Sequence, residues 1–320
     1  MPTLTEHARP AVVQSGRWPA ISPPNGAMSD VHFIRAAGHF ARLLPPEVHD
    51  ALVDFADVAP PAGAMVLRGV PIGELPDTPD SPTAPTVKSL ATEFVLLSIA
   101  RRLAQPVGYL PEHGGDLVQN LVPTKATALR QVSTSSGVDL MFHTEAAFHP
   151  HRPKYLLLLC LRGDSNAVTT LSSIFEILPL LHHDVVDILF QPRFRTAVDE
   201  SYLHGHDNRR VLGEPMPVLH GDRQRPHLVF DAELMVGTDE AADAAIRALS
   251  AAIERHHTGV VLEAGDLLII DNDVAVHGRS SYQPRWDGRD RWIQRSMAVT
   301  DLGPSAAQRD HRVITTRFGM

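Results

Sequence analysis

Strand-length blocks of apolar residues, repeated along the chain, constrain this fold more than any other feature of the sequence. They occur at 64–69 (Ala-Met-Val-Leu-Arg-Gly), 117–122 (Leu-Val-Gln-Asn-Leu-Val), 154–161 (Lys-Tyr-Leu-Leu-Leu-Leu-Cys-Leu), 226–230 (Pro-His-Leu-Val-Phe) and 266–270 (Asp-Leu-Leu-Ile-Ile). Apolar runs of about 4–8 residues bounded by turn formers read as buried strands, whereas helices need about 10–12. Helical spacing is confined to a few stretches. Phe33, Phe40, Leu43 and Leu44 repeat in this way, as do Val48, Leu52 and Phe55 beyond the Pro45-Pro46 break. Residues 88–104 place Leu90, Phe94, Leu97 and Ile99 near one broad face, and 239–257 repeat Ile246, Leu249 and Ile253. Asp239 and Glu240 at the start of that last stretch, and Arg255 near its end, suit the helix dipole. A shorter helical piece is expected over 173–190. The pattern predicts a mainly β chain with flanking helices, on a sandwich or jelly-roll core.

Proline marks the boundaries. There are 26 in 320 residues, above the usual share of about 5%, which favours loops over long helices. Pro10, Pro19, Pro23 and Pro24 interrupt residues 1–28, which are expected to form a poorly ordered N-terminal arm. Residues 29–320 are expected to form a single domain, with the proline-rich stretch 75–85 a surface connection inside it.

Charge and cysteine usage exclude several functions. Twenty-nine Lys and Arg against 37 Asp and Glu give a formal charge of −8, the wrong sign for gripping a phosphate backbone, so no nucleic-acid partner is expected. Apolar runs such as 156–161 are too short to span a bilayer, and residues 1–28 lack the apolar segment of a signal peptide. Cys160 is alone, so no internal disulfide can form, and a cytoplasmic location is expected.

The chemistry concentrates around Phe142-His143-Thr144-Glu145. In an extended segment, side chains at i and i+2 share a face, so His143 and Glu145 could reach one ion. Imidazole with carboxylate suits iron(II), manganese or zinc. A third ligand is needed, and His277 is the candidate, beyond the buried run Gly265-Asp-Leu-Leu-Ile-Ile-Asp-Asn272. Two histidines and one carboxylate leave the opposite side of a metal open, the arrangement of non-haem iron(II) oxygenases. Arg291 and Arg295 follow, four residues apart and therefore on one side of a strand. A guanidinium fork there would suit the far carboxylate of a metal-chelating 2-oxoglutarate better than lysine.

Two blocks carry a family resemblance. Residues 143–164 resemble the metal-site segment of the clavaminate synthase-like group of 2-oxoglutarate oxygenases. Residues 262–295 are similar through Gly-Asp-Leu-Leu-Ile-Ile-Asp-Asn, His277, Pro-Arg-Trp-Asp-Gly and Arg-Asp-Arg-Trp. Likeness extends over about 64–301, and glutamate as the carboxylate ligand is typical of the group. The resemblance implies a double-stranded β-helix (jelly-roll) core and an enzyme using iron(II), 2-oxoglutarate and dioxygen. It implies that His143, Glu145 and His277 ligate iron and that Arg291 and Thr170 hold the distal carboxylate of 2-oxoglutarate. Arg295, Ser133, Gln119 and Asp231 would face the substrate, Arg295 at its carboxylate. The reaction implied is hydroxylation, at C3, of a free L-amino acid or a related small molecule. Desaturation, cyclisation or lactone formation with the same cofactors is an alternative, as is a non-catalytic jelly-roll binding protein with a vestigial site.

Other histidines are expected to be structural or solvated. His149 and His151 flank a proline and are expected to turn away from the metal. His204-Gly-His206-Asp207 has ligand-like spacing but no further supporting pattern, and His182-His183 and His256-His257 are expected at exposed helical positions. Cys160, inside an apolar run, is expected to be buried and inert.

Overall fold

The structure is a computed structural model that describes residues 7–84, 88–199, 202 and 211–318. His204, His206 and Asp207 lie outside the described residues. In chain order the strands begin with β1 (Ala11–Gln14), β2 (Ala64–Arg68), β3 (Gln105–Tyr109), β4 (Gln119–Leu121), β5 (Leu140–His143), β6 (Tyr155–Arg162) and β7 (Thr169–Ser173). Three-residue strands follow: β8 (Phe194–Thr196), β9 (Leu219–Gly221), β10 (Pro226–Leu228), β11 (Met235–Gly237) and β12 (Thr258–Val260). The last are β13 (Leu267–Asp271), β14 (Ala275–Arg279), β15 (Trp292–Val299), β16 (Arg309–Asp310) and β17 (Val313–Ile314). The helices are α1 (Val31–Phe40), α2 (Pro46–Asp57), α3 (Ala91–Leu103), α4 (Ile174–Ile177), α5 (His183–Leu189) and α6 (Glu240–Arg255). The chain is thus mainly β with flanking helices.

Two sheets matter for function. The larger runs β1-β2-β13-β6-β15-β3-β17-β16, with β4 also paired to β15; the smaller runs β12-β7-β14-β5. Strand pleating sorts the larger sheet's side chains onto two faces. Met65, Leu67, Leu157, Leu159, Leu267, Ile269 and Trp292 pack on one side with Phe33, Phe40, Leu52, Phe94 and Leu97 of α1–α3. Val66, Leu156, Leu158, Cys160, Leu268, Ile270 and Ile293 point the other way, against Leu171 and Ala275 of the smaller sheet. Sheets buried on both faces read as near-continuous apolar runs, which is why 156–161 shows no alternation in sequence. The smaller sheet's outer face, with Phe142 and Val276, packs on Ala245, Leu249 and Ile253 of α6. Each fully buried Leu or Ile side chain contributes about 1.5–3 kcal/mol, so the three clusters hold both sheets between helices.

The helix signals translate directly. Asp239 caps α6 by accepting from the Ala242 N–H at 3.0 Å, and Pro45-Pro46 separates α1 from α2. The stretch 173–190 is two short helices, α4 and α5, because Pro179 follows α4 and leaves an N–H missing where a continuous helix would need one. The N-terminal arm is tied down in part: β1 pairs in parallel with β2, Ala11 opposite Met65 and Gln14 opposite Arg68. Its prolines exclude a helix, but they leave Ala11–Gln14 free to extend along a sheet edge. No helix among the described residues is long and apolar enough to cross a membrane.

Candidate active site

The candidate metal ligands meet between the two sheets. His143 ends β5 and lies directly opposite His277 of β14 in the antiparallel ladder, with ring centroids 4.3 Å apart. His277 Nε2 stands 3.7 Å from Glu145 Oε2. One donor atom from each of the three residues lies within 4.8 Å of the others. Glu145 and His277 are buried, and His143 is half-buried.

The histidine pair is set by strand register, but Glu145 is not placed by the pleat. β5 stops at His143, and Glu145 sits in the turn that follows. Asn272 fixes it there: Asn272 Oδ1 accepts from the Glu145 N–H at 2.7 Å, and Asn272 Nδ2 donates to the Glu145 carbonyl at 3.1 Å. Thr144 between the ligands is pinned through its N–H to the Phe230 carbonyl at 2.7 Å. The protonation states fit a cation. His143 Nδ1 is 2.8 Å from the Met141 carbonyl. It therefore carries the proton, and the Nε2 lone pair is free. Burial, with His143 and Arg295 nearby, holds His277 well below its usual pKa, so it is a neutral imidazole. Its Nδ1 is buried without a hydrogen-bond partner among the described residues.

Arg295 lies at one edge of this cluster. Alternation along β15 puts Ile293, Arg295 and Met297 on one face, and Arg291 lies just before the strand. Arg295 donates to Glu145 Oε1 at 3.0 Å, to Glu112 Oε2 at 2.9 Å and, through Nε, to Gln119 Oε1 at 2.9 Å. Burial opposes its charge, but Glu145 and Glu112 outweigh that and raise its pKa. Gln119, on β4 beside β15, is buried, and its side chain lies against both Arg295 and Glu112. Glu112 was not legible in the sequence, being one acid in the loop after β3. Burial raises its pKa to about 7, with Arg295 opposing and Glu145 reinforcing the shift.

A second pair of guanidinium groups lies at another edge. Arg279 and Arg291 are both buried. Burial first, and then Arg291, lowers the Arg279 pKa to about 10. Tyr282 lies against both: the Arg279 guanidinium stacks 5.0 Å from its ring, and burial raises the pKa of its hydroxyl while Arg291 and Arg279 oppose that. Arg279 also donates to Ser135 Oγ at 3.0 Å. No carboxylate forms an ion pair with either arginine among the described residues. Arg279 had a readable signal, since it stands two residues after His277 on the same strand.

Thr170 lies on a different face of its strand from the residue opposite His277. It lies opposite Gly278, and a Cβ at Gly278 would meet Thr170 Oγ1 at 3.0 Å. Its side chain is therefore on the outer face, away from His277. Thr169, opposite Arg279 and buried, takes the inward position. The same hypothetical Cβ would approach the Leu140 carbonyl to 2.5 Å, so only glycine lets β14 and β5 come this close. Ser133 is half-buried in the loop before β5 and makes no hydrogen bond to a site residue among the described residues; Ser135 makes the contact instead.

Asp231 bridges to His143 through the backbone. Its Oδ1 accepts from the N–H groups of Glu233 and Leu234 at 2.9 and 2.7 Å, a turn-capping role. Burial raises its pKa, while His143 opposes that shift. His149 is buried rather than solvated, its ring 5.0 Å from Tyr109 and 5.4 Å from Phe318. His182 and His183 are exposed, as expected. Cys160 is fully buried and its thiol is pushed up to about 12 by burial, so it is unreactive.

Two histidines and one carboxylate, clustered between sheets with a buried arginine pair nearby, define the class of non-haem iron oxygenases. Residues 54–297 match the model described as "Taurine catabolism dioxygenase TauD, TfdA family", and the chain belongs to that family. It is 37% identical over 303 residues to the L-asparagine oxygenase of Streptomyces coelicolor, covering 93% of this chain and 89% of that one. It is 34% identical over 284 residues to the L-lysine 3-hydroxylase of Catenulispora acidiphila, covering 87% and 79%. Asparagine oxygenase solved with Fe(II), 2S,3S-3-hydroxyasparagine and succinate superposes with a TM-score of 0.85 at 37% identity, covering 91% of each chain. The oxygenase OrfP, solved with Fe and alpha-ketoglutaric acid, superposes with a TM-score of 0.81 at 33% identity, covering 92% of each. The chain is accordingly an iron(II)- and 2-oxoglutarate-dependent oxygenase.

Proposed function

We propose that this oxygenase hydroxylates C3 of a free L-amino acid whose side chain ends in an amide or a cation. The observation that carries the reading is the Arg295–Glu112–Gln119 group beside Glu145. A guanidinium, a carboxylate and an amide in contact match the carboxylate and ammonium of a zwitterion. The relatives named for asparagine and lysine support the same class.

His143, Glu145 and His277 hold the iron in this reading. Bound iron(II), with 2-oxoglutarate as co-substrate, supplies the oxygen activation needed to break an unactivated C–H bond. The chain's own residues position and exclude. Arg291, assisted by Arg279 and Thr169, binds the distal carboxylate of 2-oxoglutarate. Arg295 orients Glu145 and, with Gln119, receives the substrate carboxylate; Glu112 receives its ammonium. Asp231, held by its turn, faces the substrate side chain. The loop containing Ser133 and Ser135, joined to β14 through Arg279, covers the site and excludes water. Positioning of this kind determines which carbon meets the oxidant. The two facing sheets are read as the halves of a double-stranded β-helix, and the described residues from 29 onward, with β1 added to their sheet, as one domain; the lone buried thiol suits the cytoplasm.

A succinate-release screen over free arginine, lysine, ornithine, citrulline, asparagine and glutamine tests this. One of them should stimulate succinate formation and gain one oxygen in the product mass. Loss of two hydrogens would replace hydroxylation with desaturation or cyclisation, and no stimulation by any would overturn the free amino acid. Asp231→Ala should change which amino acid is preferred while sparing uncoupled 2-oxoglutarate turnover; unchanged preference would remove Asp231 from the pocket.

A further inference from the structure

A second cationic site lies outside the oxygenase centre. Ser29, Arg35, Arg101, Leu302, Arg309, His311 and Arg312, with Val31 and Ile34, line a cavity of about 370 Å³, within the usual range for small-molecule sites. None of these residues belongs to the metal cluster or its arginines. The cavity is assembled from α1, the end of α3 and the β16–β17 turn, three elements distant in sequence. No acidic residue lines it, and none of its four arginines forms an ion pair with a carboxylate among the described residues.

The guanidinium groups are held in place by neutral partners. Arg312 donates to the Pro106 carbonyl and to Gln105 Oε1, both at 3.1 Å. Arg101 reaches Gln105 as well, and its buried Nε has no partner among the described residues. Arg309 donates to Ser305 Oγ at 3.3 Å and to the Leu302 carbonyl at 3.4 Å. Burial, then Arg101 and Arg309, lowers the Arg312 pKa to about 10. A basic residue at a helix C-terminus is favourable by about 0.3–1 kcal/mol, which accounts for Arg101 on α3. It does not account for Arg35, Arg309 or Arg312, which come from other elements. Four like charges around one cavity, in a chain of net charge −8, make a local positive patch that attracts an anion.

We propose that this cavity binds a small phosphate monoester. Its dianionic head sits on Arg101, Arg309 and Arg312, and its organic body lies along Val31, Ile34 and Leu302. A phosphate offers several oxygens and up to two charges to guanidinium forks, where a single carboxylate offers one. Glycerol 3-phosphate, inorganic phosphate and glycerol serve as probes, titrated calorimetrically into the anaerobic iron(II) enzyme saturated with 2-oxoglutarate. Under these conditions the Arg291 site is already filled. Glycerol 3-phosphate should bind saturably, inorganic phosphate more weakly and glycerol not at all. Arg35→Gln combined with Arg309→Gln should weaken glycerol 3-phosphate by at least about tenfold, a change of about 1.4 kcal/mol. These two side chains are the less embedded of the four, and unchanged succinate formation verifies that the variant is folded. No saturable binding to the wild type, or equal affinity in the double variant, would overturn the site. Inorganic phosphate binding as tightly as the ester would overturn the organic body.

Discussion

The two arginine clusters of the oxygenase centre contrast in their counter-charges. Arg295 is neutralised in place by Glu145 and Glu112, whereas Arg279 and Arg291 stand side by side with a tyrosine and a serine but no ion-paired carboxylate among the described residues. A buried guanidinium without a counter-ion is costly, and in the proposed reading the second cluster receives its anion from solution. That suits a diffusible dicarboxylate present in every turnover. The first cluster already balances charge and gains most from a ligand carrying both signs, such as an amino acid. Arg295 lies on β15 and Arg291 just before it, and the difference lies in what the neighbouring segments bring to each.

Substitutions that break this division should do so in graded steps. Glu145→Ala removes a ligand and also frees Arg295, and it should lower substrate-dependent succinate formation by at least about 100-fold; near-normal turnover would remove Glu145 from the triad. Arg291→Ala should raise the 2-oxoglutarate KM about 100-fold, since truncating one partner of a buried charged contact costs about 2–5 kcal/mol. The amino-acid KM should change far less. Equal effects on both would mean that the two clusters are not separate sites.

Much of this contrast could be read from residue order, and some could not. His277 stands out as the histidine beyond the buried run 265–272, and Arg291 and Arg295 by their four-residue spacing. Strand pleating, applied two residues past His277, reaches Arg279. Glu145 joins the cluster for a different physical reason: the strand has ended, and Asn272, 127 residues away, does the placing. Side-chain clamps of that kind leave no local pattern. Thr169 and Thr170 occupy opposite faces of β7, and a shift of one position exchanges inside for outside. Glu112 was invisible for want of any periodicity, since a loop acid gains meaning only from the arginine that folding brings to it.

Glu112 gives the next step down in effect. With a pKa raised to about 7, it is mostly protonated and neutral below that pH and anionic above it. Only the anion pairs with a substrate ammonium, which stays charged throughout this range. The amino-acid KM should therefore fall as pH rises through about 7, approaching about tenfold per unit on the acidic side. The 2-oxoglutarate KM, set by arginines that remain charged, should stay flat. Glu112→Gln should raise the amino-acid KM about tenfold, the loss of a hydrogen bond to a charged group, and flatten its pH profile. A pH dependence that survives in the glutamine variant would assign the titration to another group.

The adjacent threonines provide the finest test, because they differ in little except the face they occupy. Thr169 lies opposite Arg279 on the inner face, and Thr170 lies opposite Gly278 on the outer one. Valine keeps the shape and β-branching of threonine and removes the hydroxyl, so each strand should remain intact. Thr169→Val should raise the 2-oxoglutarate KM by about three- to tenfold, corresponding to one neutral hydrogen bond of about 0.5–1.5 kcal/mol. Thr170→Val should leave it within about twofold. The reverse order would place the hydroxyl of Thr170 on the anion and would mean that β7 is shifted by one residue relative to β14. Such a shift would also turn Leu171 away from the inner core, so a drop in melting temperature confined to one of the two variants separates loss of the hydroxyl from loss of packing.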